Sequence, residues 1–569
     1  MTTPILELRQ VSVKYDAQNE PTLRELNLSV QKGEKILLAG SSGSGKTTLV
    51  RLLNGLIPHE FKADVTGEIF INGQNVTKQN VFERSLELGT VLQDSNAQFV
   101  GLTTAEDLAF ALENDNVVHY KMLEQVQKWA KDLNLLHLLN LSPQVLSGGE
   151  KQRVAMAGVL IDDAPILLFD EPLASLDPAS GQRMMQLIDR LQAEQNLTVI
   201  IVEHRVEEVL RGKVDRVLIL DEGKIVIDET PIEALKLNDF AKYGLSTPGY
   251  IRLLSQAGID LKNVEELDQP QKLAGEQVAD KLQQYALAQT DSGHAKTENA
   301  QLLKIQNLDF AYGKHEIFHQ LNLTLNQGEI TALVGKNGSG KSTLSQLIVG
   351  FLAPTSGSIV FNKTDLLALS IKERSAYVGY VAQNPNQMIT QVSVFDEVAV
   401  GLRLRGEDDE KIHEKVNELL KIADLYSMRN WPVSVLSYGQ KKRLTIMAVL
   451  ALQPELLILD EPTAGQDLTH ANEIMEFVQK LNHDLQISIV LVTHDMTLLQ
   501  AVAQRAIVLV AGEIIADTTP AELLTNHELV ERADLQVTSI ATLAERFGIK
   551  NVTDLVRSAT LRTEGNDGK

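Results

Sequence analysis

Short runs of apolar, often β-branched residues recur along the chain, separated by longer stretches with helical spacing, and this alternation predicts an α/β fold with a largely parallel sheet. Three of these runs each lead into a chemically loaded residue. EKILLAG (34–40) enters a glycine loop, ILLFD (166–170) ends in an acid and TVIIVEH (198–204) ends in a histidine. The same three return as EITALVG (329–335), LLILD (456–460) and SIVLVTH (488–494). In open α/β sheets, ligands gather at the carboxyl ends of the strands, which is where these residues fall.

The recurrence is an internal repeat. Gly40 and Gly335 are 295 residues apart. Asp170 and Asp460 are 290 apart, an offset shared by Gln93 and Gln383, Ser147 and Ser437, Asp177 and Asp467, and His204 and His494. The five-residue slip between the first motif and Gln93 belongs in loops. TPGYIRLLSQAGI, ending at Ile259, pairs with TSIATLAERFGI, ending at Ile549, so each half carries a short C-terminal helical appendix. The expected domains are 1–267 and 301–569, with a linker over 268–300. The Gln-, Ala- and Ser-rich part of that connection predicts one helix followed by a flexible tether.

Gly40-x-x-x-x-Gly45-Lys46-Thr47 and Gly335-x-x-x-x-Gly340-Lys341-Ser342 fit a strand–loop–helix phosphate cradle. Its glycines let backbone N–H groups turn inward, the next helix presents its positive end, and the lysine reaches the outer phosphates. The expected ATP contacts are Gly40, Ser41, Ser42, Gly43, Ser44, Gly45, Lys46, Thr47 and Thr48 in the first half. In the second they are Gly335, Lys336, Asn337, Gly338, Ser339, Gly340, Lys341, Ser342 and Thr343. Thr47 and Ser342 offer hydroxyls to Mg²⁺, and Asp170 and Asp460 end apolar strands, the setting for a carboxylate that holds Mg²⁺. Glu171 and Glu461, one residue on, are placed to polarise the attacking water as general bases. His204 and His494 read as sensors of the γ-phosphate, and Tyr15 and Tyr312, upstream of the glycine loops, as platforms for adenine.

Composition narrows the class. The chain has 569 residues, 44% apolar and 22% charged, enough for several compact domains. Fifty-three Lys and Arg against 75 Asp and Glu give a net charge of −22, which argues against wrapping nucleic acid. Cysteine is absent, so disulfide scaffolds, thiolate metal sites and thiol nucleophiles are excluded. The best candidate for a membrane span, 444–459, is broken by Gln453, Pro454 and Glu455, and MTTPILELRQ lacks the pattern of a signal peptide. Any membrane role is therefore expected to be peripheral.

LSGGEKQR (146–153), with the looser copy LSYGQKKR (436–443), resembles the signature of ATP-binding cassette (ABC) ATPases. The order phosphate loop, Gln, signature, D-E-P, D-loop and His resembles two complete cassettes in one chain. The resemblance implies a head-to-tail sandwich in which each ATP is closed by the other half's signature: Ser147, Gly148 and Gly149, or Ser437, Tyr438 and Gly439. QDSNAQFVGLTTAEDLAFALEN from Gln93 and QNPNQMITQVSVFDEVAVGL from Gln383 look like the segments of energy-coupling-factor (ECF) importer ATPases that face a transmembrane coupling protein. That likeness implies that Gln93 and Gln383 bind Mg²⁺ and the attacking water and report to the membrane partner. Phe99, Met388 and Ile389 then either line a coupling groove or belong to the core.

The resemblance thus implies an ATPase that, with Mg²⁺, energises import of a vitamin, a vitamin precursor or a metal ion. Its partners would be a coupling membrane protein and a small substrate-binding membrane component, with this chain peripheral on the cytoplasmic face. Tyr438 replaces Gly148 and Gln440 replaces Glu150, so the two sites are expected to hydrolyse at unequal rates. A soluble tandem-cassette translation factor is the alternative. Its interdomain arm is typically basic, whereas residues 243–300 carry five Lys or Arg and eight Asp or Glu. A fused cassette pair of the sugar-importer type is less favoured, because both glutamates are present.

Overall fold

A computed structural model describes residues 3–174, 176–288, 300–464, 468–549 and 555. The chain divides into two units, Met1–Ala279 and Asp280–Lys569. The helix expected in the connection is Glu276–Ala288, and 289–299 lie outside the described residues.

In the first unit the run at 34–40 forms strand Lys35–Ala39, inside a six-stranded sheet. On one side stand Thr198–Val202, Ile166–Asp170 and Leu88–Val91, and on the other Arg216–Asp221 and Lys224–Glu229. All these strands pair in parallel except the last two, which are antiparallel. The second unit repeats the order with Ile330–Val334, Ser488–Val492, Leu456–Asp460 and Val378–Val381 on one side, and Arg505–Val510 and Glu513–Thr518 on the other. The runs are continuous rather than alternating because both faces of these strands are covered. Leu456, Ile458, Val490 and Val492 join one core of the second unit, while Leu457, Leu459, Ile489 and Leu491 join another on the opposite face.

A second sheet in each unit lies outside the parallel pattern. In the first it is antiparallel, in the order Leu23–Val30, Leu6–Tyr15, Ala63–Ile71 and Gln74–Asn75. Strand Leu6–Tyr15 buries Leu6, Leu8, Val11 and Val13, and register shifts interrupt its alternation between Leu8 and Val13. The second unit has the same sheet from His315–Asn326, Gln301–Tyr312, Ser356–Phe361 and Thr364–Asp365. Leu6, Leu8 and Ile69 share one core with Leu49, Leu52 and Leu53 of helix Lys46–Leu53, and with Ile36, Leu38 and Leu168 of the parallel sheet. The helix after the glycine loop thus ties the two sheets together.

A helical subdomain covers the other face of the sheet. In the second unit, helices Val394–Arg405, Asp409–Ile422 and Tyr438–Leu450 contribute Val398, Val416 and Leu444 to the core with Leu457 and Leu459. The first unit places Thr104–Asn114, His119–Asp132 and Gly148–Leu160 at the corresponding points of its chain. The appendices form the helices Gly249–Gln256 and Ser539–Arg546. Among the described residues no helix is long and apolar enough to cross a membrane.

One buried side chain in each unit fixes the glycine-loop helix from its far end. Arg84 is 1% exposed, and its guanidinium donates to the Leu53 carbonyl at 3.0 Å and to the Val76 carbonyl. Arg374 donates to the Leu347 and Ile348 carbonyls at 3.2 and 3.4 Å. The last carbonyls of a helix have no partner within it and carry its negative end, so a cation there satisfies both needs. Burial pushes Arg84 down to about 10, still charged at neutral pH. Replacing Arg84 by Met should lower stability by about 1–3 kcal/mol through the abandoned carbonyls, read as a fall in the unfolding midpoint of the full chain. An unchanged midpoint would show that the cap contributes nothing.

Candidate nucleotide site

Each glycine loop runs from the central parallel strand into a helix whose first residue is the motif lysine. Gly45 and Gly340, the residues before these helices, have φ of 111° and 107°, a region that L side chains rarely enter. A β-carbon on Gly45 would also stand 2.8 Å from Leu23, and one on Gly340 2.8 Å from the Phe318 ring. Lys46 Nζ donates to the carbonyls of Gly40 and Ser41 at 2.7 and 2.9 Å. Lys341 does the same to Gly335 and Lys336 at 2.7 and 2.9 Å. The hydroxyls of Ser44 and Ser339 are buried without a hydrogen-bond partner. Orphaned donors in a glycine cradle at a helix N-terminus fit a bound phosphate chain.

Asp170 and Asp460 close their strands beside these loops. Burial, then the neighbouring Glu171, pushes the Asp170 carboxyl up to about 6, with Lys46 and Arg51 opposing. Asp460 is also pushed up, by burial first, and it accepts hydrogen bonds from Tyr380 Oη at 2.9 Å and from Ser342. A hydroxyl beside a carboxylate that is reluctant to ionise alone is a donor set that fits a small hard cation. In the first unit, Thr47 would complete the set with Asp170.

Glu171 and Glu461 share an unusual backbone, with φ of 48° and 45°. Non-glycine residues in this left-handed region are held there by their surroundings. The Glu171 N–H donates to the Val202 carbonyl at 2.9 Å, and the Glu461 N–H to the Val492 carbonyl at 2.8 Å. Each acid is thereby fixed to the last residue of the strand that leads to its histidine.

The partners of the two acids then differ. Gln93 Nε2 donates to Glu171 Oε2 at 2.6 Å, and His204 Nδ1 lies 3.8 Å from Glu171 Oε1. In the second unit His494 Nδ1 is 2.7 Å from Glu461 Oε1. Burial works against ionisation of Glu171, but His204, then Lys46 and Arg205, hold its carboxyl below the ordinary value. It is therefore charged at neutral pH and able to accept a proton. Gln383 is gripped by its carbonyl, which accepts from Lys442 Nζ at 2.8 Å and Tyr438 Oη at 3.3 Å. Lys442 is fully buried and also donates to the Ala382 carbonyl at 2.9 Å. Burial pushes it down to about 8. At its register in the first unit stands Gln152, whose buried Oε1 has no partner.

The remaining expected residues fall as follows. Ser147 and Ser437 cap helices Gly148–Leu160 and Tyr438–Leu450, each closing a capping box, with Glu150 and Gln440 respectively. Gly148, Gly149 and Gly439 lie in the first turns. Tyr438 is 38% exposed. Asp177 caps helix Pro178–Gln195, and Asp467 lies outside the described residues. Tyr15 is half-buried with its hydroxyl 3.2 Å from Thr48 Oγ1, whereas Tyr312 is exposed and meets Phe310 edge to face. Phe99, Met388 and Ile389 are half-buried, and the last two pack on the second unit's core. Other apolar side chains after the glutamines are exposed: Val100, Leu102 and Phe110 in the first unit and Val392 in the second. Sequence reasoning also missed Arg84, Arg374 and Lys442. The triplet Glu-Arg-Ser at 83–85 and 373–375, repeated at the offset of 290, was a signal for the two arginines.

The family described as ABC transporter matches residues 23–174 and 318–464. A second, described as ATP-binding cassette cobalt transporter, matches 238–310, across the first appendix and the connecting helix. A protein of Lactiplantibacillus plantarum with the provisional name ABC transporter ATP-binding protein is 48% identical over 560 residues, covering 98% of each chain. One of the same provisional name from Enterococcus faecalis is 46% identical over 553 residues, covering 97% of each. A solved structure described as cbiO1 from Clostridium perfringens, part of the ABC transporter complex cbiONQ, is 32% identical. It covers 43% of this chain and 100% of its own, with a TM-score of 0.39. Two matched cassettes, and relatives aligned from end to end, make this chain a member of the ABC transporter ATP-binding proteins.

Proposed function

We propose that the chain is the ATP-hydrolysing subunit of an importer of the ECF type, carrying a vitamin, a vitamin precursor or a metal ion. The observation that carries hydrolysis is the doubled constellation of Lys46, Asp170, Glu171 and His204 with Lys341, Asp460, Glu461 and His494. In both units the acid is held in left-handed backbone and pinned to the histidine strand. The connecting segment's match to the cobalt-transporter family supports the importer type. The transporter names of the relatives favour this reading over a ribosome factor.

The work is divided among the chain's own groups. The glycine-loop amides and Lys46 or Lys341 hold the phosphates, Lys46 turning from the Gly40 and Ser41 carbonyls toward them. Glu171 or Glu461 accepts the proton of the attacking water. His204 or His494 donates to the terminal phosphate as charge gathers there. Thr47, Asp170 and Gln93, or Ser342, Asp460 and Gln383, would hold Mg²⁺, which would neutralise phosphate charge.

The membrane partners are supported by a paired apolar ridge. The Val394 N–H donates to the Trp431 carbonyl at 3.1 Å, and the Val433 N–H to the Val392 carbonyl at 2.8 Å. This joins the segment after Gln383 to the one before the signature. Val392, Trp431 and Val435 are exposed along that seam, as are Leu102, Leu141 and Val145 at the same register in the first unit. Contiguous exposed apolar side chains mark a contact surface.

Glu171→Gln and Glu461→Gln should each reduce turnover, and the double variant by at least about a hundredfold, with ATP binding retained in a filter or fluorescence assay. A single variant with full turnover would mark its own site as idle. Affinity isolation from native membranes in mild detergent should bring down two small integral membrane proteins that stimulate turnover when added back. Ribosomes in their place would overturn the transport reading.

A further inference from the structure

The residue before each histidine differs between the units: Glu203 in the first and Thr493 in the second, both wholly buried. Glu203 Oε1 accepts from the His204 and Arg205 N–H groups at 2.9 and 3.2 Å, and Oε2 from the Leu173 N–H at 3.3 Å. These three donors compensate the burial of the carboxyl. They also join the turn after Glu171 to the loop of His204. In the second unit that junction uses other groups: Thr493 Oγ1 accepts from the Asp495 N–H at 2.9 Å, and Thr463 Oγ1 donates to Asp495 Oδ2 at 3.3 Å. Glu203 therefore brings to the histidine a carboxyl that the second unit does not have at that position.

The two rings also stand differently. His204 Nδ1 stands 3.2 Å from Glu203 Oε1 and 3.8 Å from Glu171 Oε1. His494, preceded by Thr493, closes on Glu461 at 2.7 Å. We propose that Glu203 is a positioning residue of the first site. Its buried carboxylate stands 3.2 Å from His204 Nδ1 and favours the ring with both nitrogens protonated. Nε2–H then remains a donor for the terminal phosphate, while Glu171 accepts from Gln93. In the second site the histidine is occupied with the catalytic acid itself. The consequence for turnover rests on the hydrolysis reading above, whereas the state of the ring does not.

The charged groups facing the ring are Glu203, Glu171 and Arg205. Arg205 is itself 3.4 Å from Glu208. Burial alone would drive proton affinity down. Glu203 first, then Glu171, outweigh it and raise His204 above its ordinary value, with Arg205 opposing. An imidazole that keeps its Nδ1 proton beside a carboxylate must carry a second proton if Nε2 is to donate as well. A raised value extends that doubly protonated form upward in pH, and loss of Glu203 withdraws it.

The test is an NMR titration of ¹³C-labelled histidine in the full chain, with the two resonances assigned by His204→Gln and His494→Gln. His204 should titrate above about 6.5, and Glu203→Gln should cut its proton affinity about tenfold. The reciprocal Thr493→Glu should raise that of His494. In Glu203→Gln, kcat should fall above neutral pH and recover on acidification, with KM for ATP within about twofold, as expected for loss of a donor used at the transition state. A purely structural Glu203 would instead lower the unfolding midpoint and leave the titration of His204 unchanged, which overturns the proposal. Should Glu203→Gln fail to fold, an unmoved His494 in Thr493→Glu overturns it equally. Absence of ATP turnover in the unaltered chain would defeat the hydrolysis reading and still leave the titration to decide the role of Glu203.

Discussion

Each cassette depends on one short helix that is constrained at both ends. At its start, glycine in left-handed backbone turns N–H groups and a lysine into the cradle, where ordinary side chains would collide with Leu23 or Phe318. At its end, a buried arginine satisfies the last carbonyls. Between the two, Leu49, Leu52 and Leu53 bind the parallel sheet to the antiparallel one. A shift of this helix would therefore disturb the phosphate cradle and both sheets together. The acids and histidines gain their register from the same sheet, because Glu171 and Glu461 are hydrogen-bonded to the strands that carry the histidines.

The parallel sheet was legible because its strands are covered on both faces, which writes them as unbroken apolar runs ending in functional residues. The antiparallel sheet was not. Its strands are buried on one face only, and in Leu6–Tyr15 register shifts break the two-residue period that would have marked it. The site residues were legible in proportion to their repetition. Identity at a fixed offset exposed the loops, acids and histidines, but the same method is blind to Glu203 against Thr493 or Lys442 against Gln152, where the information lies in a difference. The tyrosines show a further limit. Tyr15 precedes Gly40 by 25 residues and Tyr312 precedes Gly335 by 23, and the two side chains reach different surroundings.

Those differences follow a pattern. In the first unit Glu171 is held by the glutamine loop, and His204 Nδ1 stands nearer to Glu203. In the second the acid is held by the histidine, and the glutamine loop is fastened from behind by Lys442 and Tyr438. The substitution in the second signature is thus more than the loss of a glycine, since the Tyr438 hydroxyl becomes one of the fasteners. A loop that holds the acid directly passes its own displacement to the acid. A loop anchored by buried charge resists displacement, because releasing Lys442 leaves both carbonyls and the ammonium without partners.

The repeat at 290 residues has a consequence for inheritance. When a single-cassette polypeptide pairs with its own copy, every substitution is expressed in both catalytic centres, so a change that improves one and harms the other is removed. Two cassettes encoded in one reading frame escape that coupling, and each can accumulate changes under its own selection. Glu203 and Lys442, each present in one cassette alone, are the kind of divergence that fusion permits and that self-pairing forbids.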